Sequence, residues 1–463
     1  MPRHRLWRTA LTVAGSDSGG GAGLEADLKT FTALGVHGLV AVTSVTAQNT
    51  VAVTARHDIP ASVVVEQIRA VVEDIGVDAA KTGMLGSKAI VEAVAAELKR
   101  HDFPLVVDPV MVAKSGARLL DPEAEEALKK SLIPRATVVT PNRMEAEELT
   151  GYRIRSVEDA KRAARLIVEE LGAEAAVVKG GHLGGPDSVD VLYYRGSYRE
   201  YRAPRIPDAC THGTGCCFSA AIAAMLAKGL DVPEAVAAAK RVVTEAIRYG
   251  ARIGHGHCPV NPAAVMEVDA ERYRVLARVS AAVERLVGMG RAIAPLVPEV
   301  GMNIAEVIDP RYARGPGDAA AVKGRIVRYG ETVKPVGPVE MGASSHMARA
   351  ALEASRLNPS LRAALNIRYT PEAVEAARSL GLLTVFVDRE QEPEEVRMVE
   401  GRSIQWIIRE AFRRAGGRVP DVVYDTGAKG REAMIRILAR DALEAVDKLA
   451  SIASRLSPGE EGG

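Results

Sequence analysis

The first 260 residues alternate short apolar segments with segments of helical periodicity, and this alternation limits the chain to few folds. Strands joined by helices pair in parallel through right-handed crossovers, which place helices on both faces of one sheet. We therefore predict an α/β domain of three αβα layers with a mostly parallel sheet. The predicted strands are residues 11–14, 39–44, 79–82, 105–108, 137–140 and 175–179, and the predicted helices are residues 23–34, 61–74, 87–99, 122–132, 143–149 and 157–171.

The pattern changes after residue 262, and the chain of 463 residues is long enough for two cores. We predict a first domain over residues 1–265 and a second, mixed α/β domain over residues 270–456, with a frayed tail beyond it. In the second domain the predicted strands are residues 321–329, 382–388 and 421–424, and the predicted helices are residues 270–289, 347–356, 371–379, 404–415 and 432–452.

Charge and apolar content exclude several classes of function. The formal net charge is +1, so no overall positive field attracts nucleic acid. Uncharged apolar stretches are too short to cross a membrane, and the basic N-terminus is not followed by a signal sequence, so we expect a cytoplasmic protein. The cysteines are Cys210, Cys216, Cys217 and Cys258; they predict neither a disulfide framework nor a CxxC zinc site.

The segment from Thr211 to Cys216 carries the clearest chemical signal in the first domain. Gly213 and Gly215 let the backbone approach an anion, and the small-residue helix that follows Cys216 would direct unpaired N–H groups towards it. The same positive field would lower the pKa of Cys216, so that its thiol could act as a base or hydrogen-bond partner in phosphoryl transfer. A glycine-rich turn with a buried cysteine would leave the same pattern.

Three further segments end predicted strands. Residues 14–23 are glycine-rich, but no GK[ST] follows them and their spacing differs from GxGxxG, which argues against a dehydrogenase. Asn142 and Glu145 offer oxygen ligands for Mg²⁺ and nucleotide phosphates, although helix capping would explain the same spacing. Lys179 could contact a phosphate or be solvated, and His182 follows it.

Taken together, these segments resemble the hydroxymethylpyrimidine/phosphomethylpyrimidine kinases, which have the ribokinase-like fold. The resemblance covers about residues 8–262 in the expected order. The chain departs from the family at Ser18-Gly19, where Pro-Ser is usual. The segments that carry the resemblance are residues 13–31, 48–49, 81–85, 107–111, 113–116 (with Lys114), 140–145, 179–182 and 211–216.

The resemblance implies an ATP-dependent, magnesium-dependent kinase. It places Gly15, Asp27, Gln48 and Met84 around the pyrimidine. It assigns the nucleotide to Asp108, Asn142, Glu145, Lys179 and Thr214, with Asp108 and Glu145 as magnesium ligands. Gly213, Gly215 and Cys216 match the catalytic anion hole.

The second domain contains two loops suited to phosphate, residues 341–349 and 425–432 with Lys429, as well as Arg325 and Arg368. Either loop could be only a cap and turn. Residues 275–455 resemble ThiN-type thiamine-phosphate synthase domains. Arg325, to neutralise departing pyrophosphate, and His346, to donate a hydrogen bond or proton to it, are the candidates for essential groups; a structural helix-start histidine is the alternative for His346.

The resemblance implies a bifunctional thiamine-biosynthesis enzyme that takes small-molecule substrates and forms a homo-oligomer. The first domain would phosphorylate 4-amino-5-hydroxymethyl-2-methylpyrimidine to its mono- and diphosphate, and the second would join the diphosphate to thiazole phosphate, giving thiamine phosphate and pyrophosphate. Two alternatives stay open. The second domain would bind thiamine phosphate as a sensor without catalysis, or the kinase would act on pyridoxal.

Overall fold

The computed structural model describes residues 6–112, 120–181, 183–399, 401–428 and 430–456. Predictions for Lys114, His182, Lys429 and the tail 457–463 lie outside these residues. The chain divides into two compact units, Met1–Met266 and Glu267–Gly463.

The first unit contains an eight-stranded sheet that is parallel except at one edge. Its strand order is β10-β9-β8-β7-β6-β5-β1-β2, with β9 and β10 antiparallel to their neighbours. A separate hairpin is formed by β3 and β4. The strands are β1 Thr9–Ala14, β2 His37–Val42, β3 Ser44–Gln48, β4 Val53–Asp58, β5 Ala79–Thr82, β6 Leu105–Val107, β7 Val138–Val139, β8 Ala175–Val178, β9 Asp187–Tyr194 and β10 Ser197–Pro204.

Helices cover both faces of this sheet, so the predicted three-layer αβα fold is confirmed. One core lies beneath α2 to α6, and the other beneath α1, α7 and α8. Small apolar residues let α7 be buried along most of its length. The helices are α1 Gly23–Ala33, α2 Ala61–Asp74, α3 Lys88–Leu98, α4 Pro122–Ala127, α5 Arg143–Thr150, α6 Val157–Glu169, α7 Thr214–Ala227 and α8 Val232–Arg248, with a π turn at Leu128–Leu132 and a 3-10 turn at Ile133–Arg135.

The second unit is a mixed α/β domain, as predicted. Its seven-stranded sheet has the order β15-β12-β11-β16-β19-β18-β17, and only β17 and β18 pair in parallel. Strands β13 and β14 form a separate hairpin. The strands are β11 Ile304–Val307, β12 Ala319–Val322, β13 Ile326–Tyr329, β14 Thr332–Pro335, β15 Val339–Met341, β16 Ala363–Arg368, β17 Thr384–Phe386, β18 Val422–Asp425 and β19 Met434–Ala439. The helices are α9 Ala264–Gly288, α10 Gly290–Ile293, α11 Ser345–Leu357, α12 Pro371–Ser379, α13 Glu394–Arg397, α14 Arg402–Arg414 and α15 Ala442–Leu456, with 3-10 turns at Ala294–Leu296, Pro316–Asp318 and Arg389–Gln391.

Two predicted elements of the second unit are wrong. The single strand predicted over residues 321–329 is β12 and β13, separated by a turn in which Arg325 has a φ of 77°. The helix predicted over residues 432–452 is the buried strand β19 followed by α15. A strand that is buried on both faces shows no regular alternation of apolar and polar residues, so the sequence did not separate it from the helix that follows.

One disulfide was not predicted from the sequence. Cys210 and Cys258 are 48 residues apart in the chain, yet their Cα atoms are 4.8 Å apart and their sulfurs are bonded. Cys216 and Cys217 are free thiols. The bonded pair joins the residue before Thr211 to the segment that pairs with His212, which ties down the start of the glycine-rich turn.

Candidate active site

A cavity of about 870 Å³ opens where the parallel strands of the first unit end. Ligand sites in open α/β sheets lie at the carboxyl ends of strands, and here Gly15, Asp108 and Lys179 each directly follow a strand. All but one of the residues predicted for the kinase site line this cavity. They are Gly15, Gln48, Met84, Asp108, Asn142, Glu145, Lys179, Gly213, Thr214, Gly215 and Cys216.

The glycine-rich turn forms the floor of the cavity at the start of α7. Gly213 has a φ of 80°, and a Cβ there would collide with the backbone oxygen of Gly21. A Cβ on Gly215 would lie 3.3 Å from Lys179 Nζ and 3.5 Å from Asp108 Oδ2. The first N–H groups of a helix lack partners within it. The turn therefore offers backbone donors and a lysine to one small anion.

Lys179 and Asp108 form an ordered pair beside this turn. Lys179 Nζ lies 3.1 Å from Asp108 Oδ1, and the hydroxyls of Thr140 and Ser219 donate to Asp108 at 3.2 Å each. Burial opposes the lysine's charge, but Asp108 and Glu145 raise the pKa of Lys179 above its ordinary value. Lys179 is therefore cationic and fixed in position, as a phosphate ligand must be.

Asn142 and Glu145 do cap a helix, which was the alternative explanation for their spacing. Asn142 Oδ1 accepts from the Glu145 N–H at 3.0 Å, and Glu145 Oε2 accepts from the Asn142 N–H at 2.7 Å. Both residues also line the cavity. Burial raises the pKa of Glu145 to about 7, and the nearby negative charge of Asp108 adds to this. Capping thus positions a carboxyl group that a cation would help to ionise.

The residues around Glu145 fit a magnesium ion held partly by the nucleotide. The structure brings together no group of three or more His, Cys, Asp or Glu side chains that suits a metal ion, as far as the chain is described. Mg²⁺ is commonly held by one or two carboxylates, with phosphate oxygens and water completing its shell. Glu145 and Asp108 supply two carboxylates on the cavity wall, which is enough for a shared site of this kind.

The raised pKa of Glu145 predicts how stability depends on pH. Without nucleotide, the folded first unit holds the Glu145 proton more tightly than the unfolded chain, whose pKa is near 4.5. The free energy of unfolding that this proton contributes is present below pH 4.5 and is lost as the pH rises through about 7. We expect Glu145→Gln to flatten this part of the profile, measured by denaturant unfolding. Glu123→Gln, at an exposed position, should leave the slope unchanged; an equal slope in Glu145→Gln would contradict the assignment.

Asp27 is not among the residues that line the cavity, and its predicted place in the pyrimidine pocket stays a prediction. Its side chain is fully buried, with Oδ2 2.7 Å from Lys81 Nζ and 2.7 Å from Thr12 Oγ1. Lys81 reaches the cavity wall instead. Burial opposes the charge of Lys81, but Asp27 raises its pKa above the ordinary value. Asp27 therefore acts through Lys81, a cation that was not predicted as a site residue.

The pKa of Cys216 is raised and not lowered, so the predicted ionisation of its thiol is wrong. Burial raises the pKa of Cys216 to about 12, and the positive charge of Lys81 only partly opposes this. The helix N-terminus and the lysine do not compensate for the loss of water around the thiol. In the protein without ligand, Cys216 is therefore a neutral thiol that can donate a weak hydrogen bond, not a thiolate base.

Gly15, Gln48 and Met84 also line this cavity. A Cβ on Gly15 would collide with the Met84 methyl group. The absence of a side chain at Gly15 therefore leaves room for the Met84 thioether at the cavity wall. Ser18, where the resembling family has proline, donates to the Gln48 carbonyl at 2.7 Å and accepts from its N–H at 2.8 Å. The hydroxyl thus fixes the Gln48 backbone without a proline ring.

Asp17 and His212 also line the cavity, and sequence reasoning gave them no role. His212 Nε2 lies 2.9 Å from Asp17 Oδ2, and the same carboxylate accepts the N–H groups of Gly19, Gly21 and Ala22. Burial disfavours its charge, but His212 and these donors lower the pKa of Asp17. Both residues stood inside glycine-rich segments already singled out, so proximity to those glycines was the available signal.

In the second unit, His346 is the second residue of α11 and Arg325 lies in the turn between β12 and β13. Arg325 donates to the Val300 carbonyl. The His346 side chain is exposed, but the protein atoms around it and the positive charges of the nearby arginines, Arg436 and Arg325 foremost, lower its pKa. His346 is therefore a neutral imidazole rather than an imidazolium. The second predicted loop leads into β19, not into a helix.

Two family models match the chain. "Phosphomethylpyrimidine kinase" matches residues 17–261, and "Thiamine-phosphate synthase ThiN" matches residues 278–451. The chain is 51% identical over 251 residues to hydroxymethylpyrimidine/phosphomethylpyrimidine kinase of Streptomyces coelicolor, covering 54% of this chain and 93% of that protein. It is 50% identical over 254 residues to thiamine biosynthesis bifunctional protein ThiED of Geobacter sulfurreducens, covering 55% of this chain and 52% of that protein, so the match spans about half of that relative.

Solved pyridoxal kinases share the first unit's fold. The Bacillus subtilis pyridoxal kinase in its ADP complex is 40% identical with a TM-score of 0.53, over 56% of this chain and 98% of that chain. The Staphylococcus aureus pyridoxal kinase with AMP-PCP and pyridoxal is 36% identical with a TM-score of 0.53, over 57% and 96%. Within the described residues, the structure contains no helix that is both long and apolar enough to span a membrane.

Proposed function

Because the chain belongs to the phosphomethylpyrimidine kinase family, we propose that its first unit phosphorylates 4-amino-5-hydroxymethyl-2-methylpyrimidine and then its monophosphate, using ATP. The chain is a transferase of thiamine biosynthesis, with a ThiN-type domain behind the kinase. The observation that carries the substrate proposal is that Gln48 and Met84 line the same cavity as the Gly213–Gly215 turn and Lys179.

The residues of the cavity support in-line transfer from ATP to the substrate hydroxyl. Gln48 can both donate to and accept from the aminopyrimidine edge, and Met84 offers an apolar surface to the ring. Lys179 and the N–H groups of the turn would stabilise charge on the migrating phosphoryl group, which is the main need of this chemistry. A magnesium ion on Asp108 and Glu145 would neutralise nucleotide phosphates. Cys216 would contribute a thiol hydrogen bond near the hydroxyl.

Turnover of the full chain tests this proposal directly. We expect ADP release with the pyrimidine alcohol and ATP, and successive appearance of the mono- and diphosphate by mass spectrometry. Absence of both products with intact ATP binding would contradict it.

Pyridoxal is the second candidate substrate of the same cavity. The solved pyridoxal kinases that share the fold favour this alternative, whereas the Streptomyces relative at 51% identity favours the pyrimidine. Comparing kcat/KM for the two alcohols under one set of conditions separates them. A clear preference for pyridoxal would replace the pyrimidine assignment.

For the second unit we propose condensation of the pyrimidine diphosphate with thiazole phosphate. The bond from the pyrimidine methylene carbon to the diphosphate oxygen breaks, the thiazole nitrogen bonds to that carbon, and pyrophosphate leaves. Arg325 would neutralise the leaving group, and neutral His346 would donate a hydrogen bond to it. The surrounding arginines support this role, because they provide the positive charge that departing pyrophosphate needs.

A non-catalytic sensor domain is the alternative for this unit. The synthase and sensor hypotheses are distinguished by supplying the pyrimidine diphosphate and thiazole phosphate to the full chain. ATP is left out, so that the kinase is inactive. Release of pyrophosphate supports the synthase. Binding of thiamine phosphate with no release would establish the sensor.

We further propose that the enzyme acts in the cytoplasm as a homo-oligomer. Its ATP dependence supports this compartment. Light scattering coupled to size exclusion tests the oligomer, and a monomeric mass would contradict it. Disulfides are rare in cytosolic proteins other than those of hyperthermophiles, so the redox state of Cys210 and Cys258 in fractionated cells tests the compartment.

A further inference from the structure

One end of a buried sheet face in the second unit is polar. Arg436 of β19 pairs in register with Asn366 of β16 and with Val423 of β18, so these side chains share a face. Val423 and Leu438 of that face pack in the core beneath α11 and α14. The apolar face thus changes to Asn366, Arg436 and Asp425 at the end where α11 begins.

Guanidinium groups outnumber carboxylates at this polar end. Arg436 Nη1 lies 2.7 Å from Asp425 Oδ2, and Arg389 Nη1 lies 3.9 Å from the same oxygen. Arg431 pairs with Glu392 at 2.9 Å, while Arg389 is 3.7 Å from Glu392. Three arginines therefore share two carboxylates, and the charges of Arg325 and Arg349 also act on His346 beside them.

Two of these arginines are buried without full hydrogen bonding. Arg436 is 1% exposed and Arg389 is 8% exposed. The Nε atoms of both, and Glu392 Oε1, make no hydrogen bond within the part of the chain that the structure describes. Buried charges are expected to be paired and their donors satisfied. Two unused guanidinium donors beside an excess of positive charge leave this cluster able to accept an anion.

We propose that Arg389 and Arg436 form the diphosphate-binding subsite of the second unit, an inference that rests on the proposed synthase function. The guanidinium fork matches phosphate oxygens with two parallel donors, so two arginines suit a ligand with two linked phosphates. Arg389 and Arg436 are binding residues. Asp425 and Glu392 are positioning residues that hold the guanidinium planes by ion pairs.

Titration of the full chain with inorganic pyrophosphate, followed by calorimetry, tests the subsite. We expect Arg389→Gln to weaken binding at the second unit at least tenfold and Arg389→Lys, which keeps the charge but loses the fork, to weaken it less. The kinase cavity is the same in all these proteins, so differences between titrations report the second unit. Arg440→Gln is the matched control, because Arg440 is exposed and pairs with Glu444 at 2.8 Å outside the cluster.

Each outcome decides the proposal. Weaker binding in Arg389→Gln with parental binding in Arg440→Gln supports the subsite. Parental affinity in both Arg389 variants, or no second-unit binding in the parent, overturns it. If circular dichroism shows that Arg389→Gln is unfolded, Arg389→Lys against Arg440→Gln decides by the same criterion. A further outcome is pyrophosphate binding that depends on Arg389, without any release of pyrophosphate from the two substrates. This result would contradict the synthase function but would still support the subsite.

Discussion

Gly215→Ala is expected to slow phosphorylation of the pyrimidine alcohol by about 100-fold or more while leaving the protein folded. The added methyl group would lie 3.3 Å from Lys179 Nζ and 3.5 Å from Asp108 Oδ2, in the space where the phosphoryl group must pass. The methyl group would hold the phosphoryl group away from Lys179, and loss of contact with one well-placed donor in a transition state costs about 10²- to 10³-fold in kcat. Because Gly215 lies in the first turn of α7, alanine favours the helix by up to about 1 kcal/mol. Steady-state kinetics and the thermal midpoint measure both effects.

Gly229→Ala is the matched control at the other end of α7. Gly229 has a φ of 89°, but a Cβ there meets no atom within 4 Å. The substitution should lower stability through backbone strain and leave turnover unchanged. Full-rate turnover in Gly215→Ala would refute the assignment of the turn as the anion site.

Asp27→Asn is expected to destabilise the first unit by about 3–5 kcal/mol, because it leaves the buried Lys81 ammonium without a carboxylate partner. Both side chains are fully buried and 2.7 Å apart. The measurement is hydrogen exchange resolved to peptides of β1 and β5, which carry Thr12 and Lys81. A loss of this size corresponds to roughly 150- to 4,000-fold faster exchange.

Removing both charges distinguishes the effect of the Asp27–Lys81 ion pair on stability from the effect of side-chain packing. Asp27→Asn combined with Lys81→Met should recover much of the stability, since replacing both buried partners is far less costly than orphaning one. Glu66→Gln, which removes one side of an exposed pair with Arg69, should change stability by less than about 1 kcal/mol. Equal exchange in Asp27→Asn and the parent would show that the ion pair is not stabilising.

The parallel core of the first unit could be predicted because its strands and helices differ in period. The helix predicted over residues 61–74 and the strand over residues 79–82 have the observed bounds of α2 and β5. The antiparallel strands β9 and β10 were missed, and β10 is largely polar and partly exposed, which hides its pattern. Strand β19 was missed for the opposite reason. It is buried on both faces, so no exposed polar positions mark it as a strand.

The site was predictable as far as strand ends and glycines indicate it. Asp108 and Lys179 follow strands of a parallel sheet, so topology alone brings them together. The pairing of Asp27 with Lys81 could not be predicted, because Lys81 comes from another element and lies 54 residues away. The ionisation of Cys216 depends on how much water surrounds the thiol, which no local pattern encodes. The burial of Arg389 and Arg436 is likewise a property of tertiary packing.

The Cys210–Cys258 bond closes a covalent ring around α7 and α8. Within this ring, the His212 N–H donates to the Cys258 carbonyl at 3.2 Å, and the Val260 N–H donates to the His212 carbonyl at 3.0 Å. The segment that precedes the glycine-rich turn is thus held both by the disulfide and by backbone hydrogen bonds. Reduction of the disulfide would remove one restraint on the segment that leads into the Gly213–Gly215 turn, so we expect the affinity for nucleotide to depend on the oxidation state of Cys210 and Cys258.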